Sequence, residues 1–305
     1  MLKNQILNFI WDQEDIRIDI LVAKLANLSR KVAQDLILEK KVLINNNLVL
    51  KKNQIVKTGQ KIKIFNDYKR PKPQLEPAEI DFEIIFQDQN MILINKPKNL
   101  VVHPGVGNWK NTLVNGLISH FDSLEQLDHI RPGIVHRLDK DTTGLLLVAK
   151  NAKAHSFFVN ELANRQIKRF YKAIVIGKVL HKFMKINLPI GRDLKNPLKK
   201  TISFFNSKPA ITNVELIKHF SYQNQDFSLV KCQLETGRTH QIRLHLAHIG
   251  YPIYGDPIYG KKIDELGQRL HAYKLVFKDL NGLSREFQAD LPKEFNIAFF
   301  EQKEL

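Results

Sequence analysis

The sequence contains little cysteine, no long apolar run and few acidic residues for its length. Cys232 is the single cysteine among 305 residues, which excludes an internal disulfide and a cysteine-rich zinc site. No apolar stretch approaches the roughly 18 residues that a membrane-spanning helix needs, so we expect no membrane span. The first residues lead into an acidic segment and lack the apolar core of a secretory signal. These absences predict a cytoplasmic protein.

The shortage of acidic residues leaves a strong positive charge. Lysine and arginine together number 47 against 31 aspartates and glutamates, which gives a formal net charge of +16. The hydrophobic fraction is 43%, and apolar residues recur along the chain, so a sizeable core is expected rather than a disordered chain. The excess charge predicts a polyanionic partner such as nucleic acid. A basic protein whose lysines are merely solvated is the alternative.

A proline-rich stretch divides the chain. At roughly 100–200 residues per domain, a length of 305 residues predicts two domains. Pro71, Pro73 and Pro77 lie among charged residues without hydrophobic periodicity, and proline both lacks a backbone N–H and restricts the preceding residue. We therefore predict a small N-terminal domain over 1–65, an extended linker over 66–80 and a larger domain over 81–305.

The N-terminal domain has the pattern of two helices followed by a hairpin. Ser29 is a favourable N-cap for the second helix, whose apolar residues recur at helical spacing. Three asparagines over 45–47 join two short strand-like segments, and asparagine tolerates the left-handed backbone of tight turns. Arg30 and Lys31 would lie in the first turn of the second helix, where a phosphate binds favourably. A solvated helix start explains these two residues equally well.

Residues 16–64 resemble the S4 RNA-binding domain. The matching motifs are RIDIL over 17–21, Ser29-Arg30, VLIN over 42–45 and Gly59. Two positions depart from the family pattern, because Lys40-Lys41 stand where glycine is usual and the hairpin turn is Asn-Asn rather than Asn-Gly. The resemblance implies that Arg17, Arg30 and Lys31 bind RNA.

In the larger domain, a charged, turn-rich loop runs directly into an apolar strand predicted over 145–149. The loop has the sequence HRLDKDTTG from His136. Its Asp139 would lie beside a core from which water is partly excluded. A carboxylate placed there can act as a nucleophile or a base if a cation keeps it ionised. A loop carboxylate bonded to its own backbone is the alternative.

Asp139, Asp141 and Thr143 also form the pattern Asp-x-Asp-x-Thr of haloacid-dehalogenase-like phosphatases, which use Mg²⁺ between carboxylates. That interpretation requires an apolar strand before the first aspartate, whereas here a His-Arg pair precedes it and the strand follows. It also requires acidic metal ligands late in the chain, and Asp256 and Asp264 do not have suitable spacing. The phosphatase pattern is therefore incomplete.

A second charged cluster, ETGRTHQIRLHLAH, turns from a predicted strand into a short helix. His245 and His248 could share a helix face, but no cysteine or acidic residue lies at ligand spacing, so no metal site is predicted. Arg238 on the turn could pair with Asp139 or with an RNA phosphate. Arg243 is expected to pack structurally or to contact the backbone of a bound RNA.

These two clusters resemble the RluA-type RNA pseudouridine synthases. The matching motifs, in the order of the family, are NKP over 95–97, HP over 103–104, GIVHRLDKDTTGL over 133–145, Tyr171, TGRTHQIR over 236–243 and GDPIYG over 255–260. Asn99 departs from the family, which usually has glycine there. The resemblance implies an α+β fold with a central, largely antiparallel sheet, preceded by the S4-like domain. It also implies conversion of uridine to pseudouridine without a cofactor or metal.

The resemblance further implies roles for individual residues. Asp139 would be the essential carboxylate, Arg238 would pair with it, and Tyr171 would stack on the base or transfer a proton. Arg137 would fill the space that a flipped base leaves, and His136 would help to reorganise the RNA. The expected partner is structured RNA, with large-subunit ribosomal RNA favoured and transfer RNA as the alternative. We expect a monomer without an obligate protein partner.

Overall fold

The computed structural model of the chain describes residues 5–66, 75–105, 108–121, 124, 132–194, 196 and 199–295. The chain divides into two compact units, Met1–Lys72 and Pro73–Leu305. This division falls inside the linker predicted over 66–80, of which residues 67–74 lie outside the described residues. Among the described residues, no helix combines the length and the apolar character needed to cross a membrane.

The first unit contains two helices and a small antiparallel sheet. Its elements are β1 (Gln5–Ile10), β2 (Ile16–Arg17), α1 (Ile18–Leu25), α2 (Arg30–Leu38), β3 (Val42–Ile44), β4 (Asn47–Leu48), β5 (Ile55–Val56) and β6 (Lys61–Asn66). The larger sheet has the order β1-β6-β3-β4, and β2 pairs with β5. Ser29 caps α2 by accepting a hydrogen bond from the N–H of Val32 at 3.3 Å. The predicted arrangement of two helices followed by a hairpin is confirmed, and β1 is an addition that the prediction lacked.

The two helices of this unit pack on one face of the sheet. Ile18, Leu21 and Val22 of α1 are buried, as are Leu36 and Ile37 of α2. Their spacing of three to four residues places them along one face of each helix. They form one apolar cluster with residues of the sheet. The lysines and the arginine of the two helices are exposed, whereas Asp19 of α1 is buried.

The second unit is built on a nine-stranded sheet. Its elements are β7 (Glu83–Gln87), β8 (Met91–Lys96), α3 (Leu113–His120), β9 (Thr143–Ala149), α4 (Ala152–Ala163), β10 (Lys168–Ile176), β11 (Phe183–Asn187), β12 (Ile190–Arg192), β13 (Lys200–Ile202), β14 (Ile211–Tyr222), β15 (Gln225–Leu234), α5 (Gln241–His248), β16 (Leu270–Lys278) and β17 (Ser284–Gln288). The strand order is β11-β14-β15-β10-β16-β9-β8-β7, with β17 also paired to β16. Only the pair of β9 and β16 is parallel among these described pairs, so the predicted central, largely antiparallel sheet is confirmed.

Strand β9 is buried over its whole length because both faces of the sheet are covered. Leu146 and Val148 pack into one apolar cluster, and Leu145 and Leu147 pack into a cluster on the opposite face. This explains why the strand is apolar at every position rather than at alternate ones. Gly144, the second residue of the strand, has a φ of +105°, and a Cβ there would lie 2.3 Å from the carbonyl oxygen of Ala272. The close parallel pairing that ends the Asp139 loop therefore requires glycine.

Candidate active site

A cavity of about 520 Å³ opens where the loop before β9 meets the start of β10, the end of β15 and the start of α5. It contains most of the residues that the sequence singled out in the larger domain. The charged and polar residues among its lining include His136, Arg137, Asp139, Arg165, Arg169, Tyr171, Glu235, Arg238, His240 and Arg243. Five arginines and two carboxylates are in this set, so the cavity is strongly basic and suits a polyanion.

The Asp139 loop is fixed to the sheet by a buried lysine. The ammonium group of Lys96, at the end of β8, donates to the backbone carbonyls of Lys140 and Leu100, each at 3.0 Å, and to that of Pro97. Burial lowers the pKa of Lys96 to about 7, and the nearby charges of Asp141 and Asp139 oppose that shift. Three carbonyl acceptors thus hold this lysine, which joins the loop after β8 to the loop that carries the candidate carboxylate.

Asp139 forms an ion pair with Arg243 at the base of the cavity. The Nη1 of Arg243 donates to Asp139 at 3.0 Å, and the Asp139 side chain is 16% exposed. Behind it, Arg243 donates two hydrogen bonds to the buried Asp256, at 2.7 and 2.8 Å. Burial alone would lower the pKa of Arg243, but the hydrogen bonds and charges of Asp256 and Asp139 raise it above its usual value. A permanently charged guanidinium therefore stabilises the negative charge of Asp139.

The predicted pairing of Arg238 with Asp139 was wrong, since Arg243 occupies that position. Arg238 lies on the exposed turn before α5, and its Nε donates to the carbonyl of Pro209 at 3.1 Å. Arg243 is the third residue of α5 and faces the interior of the unit. The apolar residues next to Arg243 in the sequence could have revealed this pairing. They indicate a buried helix, and an arginine buried on such a helix requires a carboxylate partner.

Asp256 is a residue of the site that the sequence prediction missed. It is fully buried, and it accepts backbone N–H groups of Ile258 and Tyr259 in addition to the two bonds from Arg243. Burial would raise the pKa of Asp256, but its hydrogen bonds and the charge of Arg243 lower it. Asp256 therefore orients the arginine that meets Asp139.

Tyr171 lies in the wall of the same cavity. It is buried on β10, opposite Cys232 of β15. Burial raises the pKa of its hydroxyl, and the charge of Asp139 acts in the same direction. The tyrosine is thus neutral at physiological pH and close enough to Asp139 for an electrostatic interaction.

His136 and Arg137 occupy different environments although they are adjacent. His136 is buried, and its Nε2 accepts the N–H of Leu147 at 3.1 Å. Burial and then the charge of Arg169 lower the pKa of His136 to about 3, so the ring is neutral and presents its other nitrogen, Nδ1, as a donor. That nitrogen has no hydrogen-bond partner within the described parts of the chain. Arg137 is exposed at the cavity.

His240 is a second residue that the sequence prediction left out of the site. Its Nε2 lies 4.0 Å from a carboxylate oxygen of Asp139, and its Nδ1 lies 3.0 Å from the hydroxyl of Tyr259. That hydroxyl accepts the N–H of Lys200 at 2.7 Å, so its proton is directed to Nδ1 of His240. Burial lowers the pKa of His240, and the neutral ring therefore turns an N–H toward Asp139.

Two of the three residues predicted to bind RNA in the first unit are held by a buried aspartate. Asp19 is fully buried and accepts hydrogen bonds from Arg17 at 3.1 Å, from Arg30 at 3.0 Å and from Gln34 at 2.8 Å. Burial would raise the pKa of Asp19, but these bonds lower it to about 2. Lys31 is exposed and pairs with an aspartate one helical turn later. Two guanidinium groups are thus fixed side by side at the start of the helices.

The three residues of the phosphatase-like pattern do not converge on one site. Asp139 lines the cavity, whereas the Cβ and carboxyl group of Asp141 pack against Gly267. Thr143 is buried and hydrogen-bonded to Nδ1 of His271 at 2.7 Å. In the described part of the chain, no group of three or more His, Cys, Asp or Glu side chains could hold a metal ion.

Comparison with known sequences gives two family matches and close relatives over nearly the whole chain. Residues 90–248 match the model of the RNA pseudouridylate synthase family, and residues 16–62 match the S4 domain. An uncharacterized RNA pseudouridine synthase of Bacillus subtilis is 42% identical over 93% of this chain and 93% of its own. The ribosomal large subunit pseudouridine synthase D of Escherichia coli K12 is 36% identical over 91% of this chain and 88% of its own.

Solved structures agree on the fold. The human RNA pseudouridylate synthase domain containing 1 superposes with a TM-score of 0.60 at 24% identity, over 73% of this chain and 88% of its own. The human RNA pseudouridylate synthase domain containing 4 gives a TM-score of 0.54 at 24% identity, over 70% of this chain and 89% of its own. Together with the sequence matches, these findings set aside the phosphatase interpretation. The chain belongs to the RNA pseudouridine synthase family of the large-subunit synthase D type, an isomerase with an S4 RNA-binding domain before its catalytic domain.

Proposed function

We propose that this enzyme converts specific uridines of large-subunit ribosomal RNA to pseudouridine, with Asp139 as the essential carboxylate. One observation carries the assignment of that residue. Asp139 lies in a basic cavity, paired with Arg243 at 3.0 Å, with Tyr171 in the same cavity wall. A fixed, charged carboxylate beside a neutral tyrosine can act on a nucleoside as a nucleophile or as a base.

The reaction conserves every atom of the nucleoside. The bond from C1′ to N1 breaks, the uracil turns within the cavity, and C5 forms a new bond to C1′. The proton on C5 leaves and N1 gains one, so neither an oxidant nor a second substrate is consumed. Asp139 acts at the first of these steps, and Tyr171 supports the base while it turns.

The target base must leave its helix before it can reach Asp139. Extruding a nucleotide costs a few kcal/mol, because stacking and pairing are lost. We assign Arg137, which is exposed at the cavity, to the space that the base vacates. We assign His136, which also lines the cavity, to the reorganisation of the RNA. Arg238, on the exposed turn, takes the role of a phosphate contact, which was its alternative prediction.

The S4 domain adds affinity that does not depend on sequence. Arg17, Arg30 and Lys31 are exposed cations at the start of two helices, and phosphates bind well at such positions. Such contacts are weakened by salt because counterions are released on binding. Sequence selection is then left to the cavity and to the fold of the RNA, as is usual for RNA loops. Since ribosomal RNA is the substrate, we place the enzyme in the cytoplasm.

Mapping pseudouridines across total RNA, with and without this gene, tests the substrate assignment. We expect specific pseudouridines of large-subunit ribosomal RNA to disappear when the gene is deleted and to return with the wild-type gene. Loss confined to transfer RNA would support the alternative substrate. An unchanged map in both RNAs would contradict the proposed function.

A further inference from the structure

The guanidinium of Arg169 lies in the cavity wall without an acceptor. Arg169 is the second residue of β10, two positions before Tyr171, and only 6% of it is exposed. Among the described residues its side chain has no hydrogen bond or ion pair, and its buried Nε lacks an acceptor. Buried arginines are almost always paired, so a partner that is absent from the free protein is indicated.

The charged groups around Arg169 do not supply that partner. Asp139 and Glu235, the two carboxylates that line the cavity, pair with other cations. The titratable groups that interact with Arg169 are Tyr171 and His136, and neither carries a negative charge at neutral pH. Burial lowers the pKa of Arg169, and no carboxylate that the structure describes pairs with it to oppose that shift. The free protein thus contains a buried cation without a counter-charge, which is costly.

The backbone beside the cavity leaves room for this guanidinium. Gly237 follows β15 at the turn, and a Cβ added there would stand 2.4 Å from Nη1 of Arg169. The φ of Gly237 is outside the left-handed region, so a Cβ there would cause no backbone strain but would require the guanidinium of Arg169 to move. The turn that carries Arg238 and the guanidinium of Arg169 therefore form one surface of the cavity.

We propose that Arg169 binds a phosphodiester oxygen of the RNA next to the nucleotide that enters the cavity. A phosphate supplies both the missing negative charge and two acceptors that match the planar guanidinium. A uracil carbonyl would satisfy a hydrogen bond but would leave the charge uncompensated. This inference rests on the proposed function, since it requires RNA in the cavity.

The proposal makes an unusual prediction for stability. Arg169→Met keeps most of the side-chain volume and removes the buried charge, so the melting temperature should stay unchanged or rise. Arg269 offers a matched control, because it is also buried in the same unit but pairs with Asp264. Arg269→Met changes the net charge equally and should lower the melting temperature, since it leaves a carboxylate without its partner.

The test measures binding of the full-length variants to an unmodified large-subunit ribosomal RNA transcript over a range of salt concentrations. Removing one phosphate contact reduces the slope of log affinity against log salt by about 0.7–0.9. We expect this reduction for Arg169→Met, a slope near the wild-type value for Arg169→Lys, and no reduction for Arg269→Met. Gly237→Ala should weaken binding without a change of charge, because its methyl group displaces the guanidinium.

The results separate this proposal from the proposed function. Equal slopes for Arg169→Met and the wild type, or a melting temperature of Arg169→Met as low as that of Arg269→Met, would overturn the role of Arg169. Unchanged binding by Gly237→Ala would also count against it. Pseudouridine formation by the wild type in the same transcript is scored separately, so the enzyme can prove active while the phosphate contact fails, or the reverse.

Discussion

Replacing Arg243 by methionine would leave two carboxylates without their shared cation. Arg243 donates two hydrogen bonds to the fully buried Asp256 and one to Asp139. Removing one partner of a buried ion pair costs about 3–5 kcal/mol. In a unit of this size, that free energy lowers the melting temperature by roughly 6–20 °C. We expect Arg243→Met to lose both stability and pseudouridine formation.

A double variant separates the two effects. Asp256→Asn, combined with Arg243→Met, removes the unpaired buried charge while it keeps an acceptor for the backbone N–H groups of Ile258 and Tyr259. Calorimetry should show that much of the lost stability returns. Single-turnover assays on an unmodified ribosomal RNA transcript should still show a loss of about 100-fold or more in pseudouridine formation, because Asp139 remains without its electrostatic partner.

Arg238→Met is the control that distinguishes the two arginines. Arg238 is exposed and its side chain donates to a backbone carbonyl, so its removal should change stability by no more than about 0.5 kcal/mol. We expect weaker RNA binding and a normal rate once the RNA is bound. The pairing of Arg243 with Asp139 would be refuted if Arg238→Met stopped the reaction while the double variant kept the wild-type rate.

Three further predictions concern pH, the first unit and metal ions. His136 is neutral in the folded protein and takes up a proton in the unfolded chain below about pH 6.5. The free energy of unfolding should therefore fall by about 1.4 kcal/mol per pH unit from this residue as the pH drops from about 6 to 4. His136→Asn should reduce that slope in denaturant titrations, and an identical slope would contradict the buried neutral ring. Asp19→Asn should weaken binding to the transcript, because Arg17 and Arg30 lose the negative charge that holds them side by side, and unchanged binding would argue against their role. The family's chemistry predicts that EDTA leaves pseudouridine formation unchanged, whereas phosphate release that depends on Mg²⁺ would favour the phosphatase interpretation.

Local patterns were sufficient to predict most elements around the site. The apolar run predicted over 145–149 forms most of β9 (Thr143–Ala149), because a strand covered on both faces needs apolar residues throughout. Ser29 caps α2 as predicted, since capping depends on residues close in sequence. Strand β1 was missed, and its place at the edge of the small sheet is set by pairing with β6, which is distant in the sequence.

The electrostatic partners of the site could not be predicted in the same way. Arg243 and Asp139 are 104 residues apart, and their contact depends on how α5 packs against the loop before β9. Arg238 was chosen from its place on the turn together with the family resemblance. Its accessibility is the reason that it does not form the buried pair, whereas Arg243 is placed by the apolar face of its helix. The place of Arg169 in the cavity wall could not be predicted either, because it depends on packing against Gly237, which is distant in the sequence.

Asp139→Asn tests the central claim most directly. This variant keeps the shape of the side chain and an acceptor for Arg243, but it removes the negative charge. Pseudouridine formation in an unmodified large-subunit ribosomal RNA transcript should become undetectable under single-turnover conditions, while the affinity for the transcript and the melting temperature stay close to those of the wild type. Substantial pseudouridine formation by a stably folded Asp139→Asn variant would contradict the account.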